Sequence, residues 1–382
     1  MRLILITSKI ICCLFTFLVS GCIANAEAVS SQEVNSAQFL DIPQTRTALY
    51  APTAQPSPSP LLSQTPLPVI PQEITVQTMP LKGPINSSDS EISGMAWHED
   101  LLVVLPQYPE KNLTGQGNPS LFVFTKNQIL EFLEGANTQP LTPINIPFLA
   151  PDLSAQIPGY EGFEAIAFDG DQVYMTIEAN NLGTMTGYLI SGVIKSDQNQ
   201  IQLDPSSLTP IPMQAQIFNS AYEALLVADG QIITLFEANG EELNPDPSAY
   251  QFANSTLSDR RINFTNIEYR LTDATAIDER GHFWVPIVYF PIEFWLYTSS
   301  EPHSRKFGQG DTHSSYLTVE RMLELQYDGE SIKLTDTQPV QLELIDDFNS
   351  RNWEALAVLD DLGFLAMTDS YPETMFVFIP YP

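Results

Sequence analysis

A short phrase recurs along this chain of 382 residues: an acidic residue, usually followed by Ala, stands at the head of an apolar run. Its head residues are Glu164, Glu223, Asp273 and Glu354, with Ser93 heading a degenerate copy. Successive heads lie 71, 59, 50 and 81 residues apart. Self-similarity at such intervals is typical of repeat architectures, in which one unit has too little apolar surface to stand alone.

Each apolar run is followed by a turn rich in Gly and Asp and then by a second β-rich run, as at residues 163–168, 169–171 and 173–177. Gly and Asp accept the positive φ that tight hairpin turns require. First strands that are apolar on both faces favour sheets stacked around an axis. The sequence therefore predicts an all-β fold, a β-propeller with four-stranded antiparallel blades. Five heads imply five blades, and six remain the alternative if one blade lacks the phrase.

The two ends of the predicted propeller favour closure of the ring. Residues 375–379 form a third strand with no fourth one after it, whereas residues 73–78 form a strand before the first blade. An open ring would leave sheet edges as templates for aggregation. We therefore expect the N-terminal strand to complete the last blade.

The N-terminus has the features of an export signal. Arg2 and Lys9 precede or flank an apolar core over residues 10–19, and residues 19–22 (Val-Ser-Gly-Cys) resemble the lipobox of bacterial lipoproteins. This predicts a signal peptide at 1–21, lipidation of Cys22, a disordered Pro/Ser/Thr-rich tether over 22–72, and the propeller over 73–382. The protein is therefore expected to be a lipoprotein of the bacterial cell envelope. It would lie outside the cytoplasm, either at the outer membrane and in the periplasm or at the cell surface.

The charge balance excludes several kinds of partner. Of the 16 basic residues two lie in the signal, so 14 face 46 acidic residues, a net charge of −32. Nucleic acids and anionic lipid surfaces both require basic protein surface, so we expect no nucleic acid and membrane contact through the lipid anchor alone. Two of the three cysteines leave with the signal, and the third is the predicted lipidation site, so the mature protein is expected to contain no disulfide. It is also expected to be a monomer.

A first strand places its head residue at one end of the predicted channel, and the hairpin returns the second strand to the same end. Glu178 and Glu237 each follow a head by fourteen residues, and Asp369 follows one by fifteen. We therefore expect up to seven carboxylates around one opening: Glu164, Glu223, Asp273, Glu354, Glu178, Glu237 and Asp369.

Carboxylates gathered in this way repel one another, by about 3 kcal/mol for a pair about 6 Å apart at an effective dielectric near 20. A bound cation compensates several of them together, and oxygen ligands without Cys or His favour Ca²⁺. Raised pKa values, or Arg270 and Arg351, could instead neutralise single members. The alternative without metal is that each acid separately accepts main-chain N–H bonds at a strand entry.

The longest predicted loop, over about residues 286–315, contains His303, Arg305, Lys306 and His313. If it overhangs the acidic opening, Arg305 and Lys306, together with Arg351, could hold an anionic group against a metal. The alternative is a solvated insertion whose charges only relieve the acidic field.

The phrases at residues 162–168, 351–357 and 91–97 resemble the strands of the esterase-like phytase family and of the SdiA-regulated calcium-binding β-propellers. The resemblance implies a propeller with Ca²⁺ in its channel and, in the phytase-like branch, hydrolysis of phosphoesters or esters. This chain has Ser93 at one head, Ala after most acids, and few basic residues to hold phytate.

Two hypotheses about function follow. In the first, the protein is a metal-assisted ester or phosphoester hydrolase acting on a small anionic or ester ligand, with Glu164, Glu354, His303 and His313 as candidate catalytic residues. In the second, it is a calcium-stabilised surface module that binds a partner protein and catalyses nothing.

Overall fold

Antiparallel β-strands form nearly all of the regular structure in the computed structural model, which describes residues 70–195, 199–253, 255–297, 302–370 and 373–382. By internal contacts the chain divides into residues 1–64 and 65–382, and all described residues belong to the second unit. The predicted signal peptide, Cys22 and most of the tether lie outside the described residues. Among the described helices, none is long and apolar enough to cross a membrane.

One sheet contains eight strands in two antiparallel groups of four, joined at their outer edges by a short parallel pairing of Phe148–Leu149 with Ile201–Gln202. The first group is β2 (Ile92–His98), β3 (Leu101–Pro106), β4 (Ser120–Thr125) and β5 (Ile144–Leu149), after the short β1 (Gln77–Thr78). The second group is β6 (Tyr160–Asp169), β7 (Gln172–Asn181), β8 (Thr184–Lys195) and β9 (Gln200–Ile211).

A nine-stranded sheet repeats this plan. Its first group is β10 (Ala224–Ala228), β11 (Gln231–Leu235), β12 (Ser248–Ala253) and β13 (Thr256–Phe264). Its second group is β14 (Arg270–Leu271), β15 (His282–Tyr289), β16 (Val319–Tyr327) and β17 (Ser331–Leu334), with β18 (Val340–Gln341) paired to β16. A parallel pairing of β13 with β17 joins the two groups.

The last sheet has four strands and combines the two ends of the described chain. Its strands are β19 (Trp353–Leu359), β20 (Gly363–Thr368), β21 (Phe376–Pro380) and β1. Thr78 pairs with Val377 and Gln77 with Phe378, so the N-terminal segment supplies the fourth strand. This pairing satisfies backbone groups of β21 that would otherwise form an open edge.

Hydrophobic clusters join each group of strands to the next. In the described part of the chain one cluster lies between the β2–β5 and β6–β9 groups, and others follow in chain order. A further cluster joins the last sheet to the first, where the rings of Phe124 and Phe376 lie 5.1 Å apart between centroids. At the centre, β2 contacts both β6 and β19, and β6 contacts β10. The fold is therefore an all-β ring of propeller type.

Two features differ from the sequence prediction. The first strand of the β14–β17 group is only Arg270–Leu271, and the predicted strand over residues 274–277 is not regular, although the N–H of Thr275 still bonds the carbonyl of Trp284 (2.9 Å). Helices also occur where none was predicted: α1 (Lys126–Leu133), α2 (Leu153–Gln156), α3 (Pro302–Phe307) and α4 (Asp311–Ser315), with single 3-10 turns at Pro84–Asn86, Ser88–Ser90, Pro109–Lys111 and Pro291–Glu293.

Candidate functional site

Three of the five recurring head residues occupy β-bulges at the start of the first strands. The pairing register shifts between Ile92 and Gly94, between Phe163 and Ala165, and between Trp353 and Ala355. Each shift leaves the head residue between them (Ser93, Glu164 or Glu354) without an opposite partner. A bulge re-aims the side chain of the extra residue, and bulges are frequent beside functional sites. The repeat therefore presents its polar side chain at an equivalent place in each of these strands.

These side chains meet in a cavity of about 200 Å³. Of the seven predicted metal ligands, five line it: Glu164, Glu178, Glu223, Glu354 and Asp369. The remaining lining residues are Glu91, Ile92, Ser93, Gln107, Asn219, Arg270 and Asn352. Second-strand acids thus join first-strand acids, because an antiparallel hairpin returns to the level at which it began.

Burial and mutual repulsion favour the protonated forms of these carboxyls. Burial and the charge of Glu178 raise the pKa of Glu164 well above its ordinary value, and burial and the charge of Glu164 do the same for the pKa of Glu223. Burial and the charge of Glu237 raise the pKa of Glu178 to about 8. Burial also raises the pKa of Glu354 to about 8, against the opposing effect of the Arg270 guanidinium.

Arg270 is the one cationic side chain among the residues that line this cavity. Its Nε donates to Glu237, which is completely buried, and its terminal nitrogens lie 3.9 Å from carboxylate oxygens of Glu293 and Glu354. Glu237 is therefore held behind the cavity wall by Arg270. One guanidinium cannot neutralise all of these carboxyls if they ionise.

Neutral oxygen and amide groups complete the lining. Gln107 Nε2 donates to Glu164 Oε1 at 3.0 Å. The Oδ1 of Asn352 is buried and accepts no hydrogen bond. A buried carbonyl oxygen without a donor is costly, and it is a ligand of the kind that hard cations take. The donor set therefore fits Ca²⁺, although among the described residues no three Asp, Glu, His or Cys side chains stand in positions that would already hold a metal ion.

Asp273, the third of the four predicted head acids, does not line the cavity. Its carboxylate accepts the N–H of Ala274 at 2.7 Å and the N–H of Leu356, on the neighbouring first strand, at 2.6 Å. This is the main-chain role that the sequence analysis kept as the alternative to metal binding. Asp273 links one group of strands to the next.

The predicted basic ligand residues also lie elsewhere. The Nε of Arg351 donates to Glu320 at 2.8 Å and its main-chain N–H donates to the same carboxylate at 2.7 Å, so it forms a buried pair and neutralises no cavity acid. Lys306 pairs with Asp336 at 2.6 Å on the surface, and Arg305 is exposed.

Neither predicted histidine lines the acidic cavity. His303 is buried, and His313 is buried with its Nδ1 2.7 Å from Glu73 Oε1. The physical reason is that α4 packs against the N-terminal segment, where the main-chain N–H groups of Thr312 and His313 donate to the carboxylate of Glu73. Arg305 and His313 instead line a separate cavity of about 1070 Å³ that contains several aromatic side chains.

Sequence reasoning missed the contributions of Glu91, Gln107, Asn219 and Asn352. None of them belongs to the apolar run that carries the repeat. Asn352 stands two residues before Glu354, and Asn219 four before Glu223, so polar residues just upstream of a head were the available signal. Gln107 follows directly on the end of β3, and only the register of the hairpin places it near Glu164.

Comparisons with known proteins define no family for this chain. No family model matches it, and no curated protein matches it. The resemblance to esterase-like phytases and SdiA-regulated propellers therefore has no support from these comparisons.

Solved structures show only distant likeness. One is a structure from the GH130 family of mannoside phosphorylases, described as containing glycoside hydrolases that target β-1,2 mannosidic linkages in Candida mannan (10% identity, 82% of this chain and 96% of that one, TM-score 0.46). Another is a glycosyl hydrolase from Bacteroides ovatus (9%, 81% and 94%, TM-score 0.41). A third is a glucose dehydrogenase (10%, 81% and 99%, TM-score 0.41). Likeness at this level carries no inference about activity or substrate.

Proposed function

We propose that this protein is a five-bladed β-propeller that binds Ca²⁺ in the acidic cavity at one end of its central channel. The observation that carries the proposal is the convergence of Glu164, Glu178, Glu223, Glu354 and Asp369 on one cavity that holds a single cationic side chain. The repeat alone does not require this, because each acid could have bonded its own strand entry as Asp273 does.

The way the strands group and pack supports five blades. The antiparallel groups begin with β2, β6, β10, β14 and β19, one for each copy of the repeated phrase. Each hydrophobic cluster lies between two consecutive groups, and one lies between the last and the first. A sixth blade would need a further group of strands between two groups that already pack together. An experimental structure that showed six would refute this count.

Ca²⁺ suits the cavity for reasons of charge and ligand type. Several buried carboxyls beside one guanidinium must either take up protons or bind a cation. Their raised pKa values indicate that, without a cation, the ionised forms are destabilised by burial and by the neighbouring charges. Carboxylate, amide and main-chain oxygens are the ligands of Ca²⁺, and its flexible coordination tolerates side chains that have to close around it. Cavity carboxylates of both first and second strands would then be linked through one ion.

Titration calorimetry with CaCl₂ on metal-free protein tests the proposal. We expect saturable binding of one ion, and the Glu223→Gln variant should bind at least tenfold more weakly because it removes a negative charge from the cavity. The exposed Glu279→Gln is the matched control and should bind like the wild type. The absence of saturable binding at millimolar Ca²⁺, or an equal loss in both variants, would contradict the proposal.

Hydrolysis of a small ester or phosphoester is the second candidate, and the pKa of Glu354 favours it. A carboxyl with a pKa of about 8 holds a proton at neutral pH, as a general acid must, while a more acidic neighbour could activate water. Turnover of chromogenic carboxyl and phosphate esters, lost with a chelator and in Glu354→Gln, would support hydrolysis. Calcium binding without turnover of any ester would favour the surface module that binds a partner protein.

We also propose that the protein is a lipoprotein of the cell envelope, anchored through Cys22. The support is the sequence of residues 19–22 behind an apolar core of signal-peptide length. Mass spectrometry of the membrane fraction should find an acylated N-terminal cysteine, and Cys22→Ser should release the protein from membranes. An uncleaved N-terminus in the wild type would refute the anchor.

A further inference from the structure

A second cavity lies further along the same first strands that carry the acidic heads. It has a volume of about 410 Å³ and is lined mainly by apolar side chains of all the first-strand segments. Among the residues that line it are Trp97, Ile166, Phe168, Val227, Val358 and Asp360. We call it the apolar funnel.

The lining of the funnel becomes more exposed along the strand direction, away from the acidic heads. Residues two positions past the heads are buried, as with Ile166 and Leu225, and residues four positions past are only half-buried, as with Phe168 and Val227. Successive residues on one face of a strand are two apart, and each step of two advances about 7 Å. The acidic cavity and the funnel therefore occupy successive levels of the same strands, one polar and the other apolar.

Polar atoms at the funnel mouth are already paired. Asp360 accepts from Lys126 Nζ at 2.8 Å, and that ammonium lies 5.1 Å from the centroid of the Trp97 ring. Trp97 Nε1 donates to the carbonyl of Val358 at 2.7 Å. None of the lining side chains has a buried polar atom without a partner. A charged guest would lose its hydration here without finding a free partner, whereas an apolar guest would lose only unfavourable water contacts.

We propose that the apolar funnel is a binding site for a small uncharged apolar molecule, either aromatic or short-chain aliphatic. Its volume falls within the range of about 300–1,000 Å³ that is usual for ligand sites, and its lining of apolar and aromatic side chains is the usual one. Trp97 and Phe168 supply flat ring surfaces at the mouth, where a planar guest would be held between side chains of neighbouring strands. This site is independent of the calcium proposal, because it uses none of the acidic side chains.

The test uses N-phenyl-1-naphthylamine, an uncharged fluorophore whose emission rises in apolar surroundings. We expect saturable binding of one molecule per folded wild-type protein. Val358→Trp and Val227→Trp each place a larger ring in the mouth from a different strand, and each should weaken binding at least tenfold. The melting temperature of each variant shows whether it has folded, and either folded variant suffices for the test.

Three controls separate the funnel from other apolar surface. Ile144→Trp enlarges an exposed apolar residue outside the funnel and should leave binding unchanged. Phe294→Ser removes an exposed ring beside the aromatic-rich cavity and should also leave it unchanged. Glu223→Gln should alter calcium binding only, so the two proposals fail separately. Absence of saturable dye binding, retention of full affinity in the folded Trp variants, or loss of binding in Phe294→Ser would overturn the inference.

Discussion

Raising the pH in the absence of divalent cations should destabilise the folded protein, because the acidic cavity favours protonated carboxyls. Burial and like charges raise the pKa of both Glu178 and Glu354 to about 8 from an ordinary value of 4.5. The folded state therefore binds more protons than the unfolded state between these two values. The stability from this source is fully present below pH 4.5 and is lost as the pH rises through 8.

The size of the effect follows from the displacement of one pKa. A shift from 4.5 to about 8 corresponds to about 5 kcal/mol in all, of which about 3 kcal/mol is lost between pH 5.5 and 8.5. We count the contribution of one carboxyl only, although several have raised pKa values. The cavity carboxyls titrate together, because a proton on one of them relieves the repulsion felt by the others. At about 2 °C for each kcal/mol, the melting temperature should fall by about 6 °C.

Urea unfolding followed by tryptophan fluorescence, in EDTA at pH 5.5 and 8.5, measures this difference. The pH range avoids carboxylates with lowered pKa values, such as Glu73, whose effects fall below pH 5. His313 acts in the opposite direction, because burial lowers its pKa and its contribution grows as the pH rises towards 6.5. Glu354→Gln removes one cavity carboxyl and leaves His313 unchanged, so the variant should lose less stability than the wild type over this range.

Calcium supplies the second half of this test. At pH 8.5, a Ca²⁺ concentration 100 times the dissociation constant should restore about 2.7 kcal/mol. At pH 5.5 the same addition should restore less, because protons compete for the carboxylates. If the wild type in EDTA keeps the same stability from pH 5.5 to 8.5, and Glu354→Gln behaves identically, the cavity carboxyls do not repel one another as described.

Three further predictions concern residues outside the cavity. Asp273→Ala should lower the free energy of unfolding in urea by about 3 kcal/mol, because two main-chain N–H groups lose their acceptor. Calorimetry should show unchanged calcium affinity, and a tenfold weaker affinity would mean that Asp273 is a metal ligand after all. Arg351→Ala should lower the free energy of unfolding by about 3–5 kcal/mol, because it leaves Glu320 buried without its cation. Replacement of the exposed Arg305 by Ala should change it by less than about 0.5 kcal/mol. Equal losses in the two variants would contradict the buried pair. A chain that begins at residue 80 should lose near-ultraviolet circular dichroism or aggregate, compared with one that begins at residue 70, and a monomeric, fully folded shorter chain would refute the role of the N-terminal strand.

The hairpins and the position of the cavity were predictable because they depend on local patterns. A turn rich in Gly and Asp between two apolar runs specifies a hairpin by backbone geometry alone. The spacing of fourteen residues from Glu164 to Glu178 then places both carboxyls at one level of the sheet. The predicted convergence of first-strand and second-strand acids rests on this local geometry, and the structure places five of them together.

Contacts between distant segments were not predictable in the same way. The sequence places Arg351 three residues before a head acid, yet its carboxylate partner is Glu320 on another strand. Asp273 fits the repeated phrase, but the irregular segment that follows β14 turns its carboxylate towards main-chain N–H groups. Helix α1 did carry a local signal, since Thr125 and Gln128 match a capping box and Thr125 Oγ1 accepts the N–H of Gln128 at 3.2 Å.

The pairing of β1 with β21 has a consequence for biosynthesis. Gln77–Thr78 is among the first parts of the described chain to be made, and its partner Phe376–Pro380 is among the last. The final sheet therefore cannot be completed until residues 376–380 have been made, and contacts so remote along the chain form slowly. The proposed route through export would move the polypeptide across a membrane unfolded, and this late step would then keep the ring from closing too early.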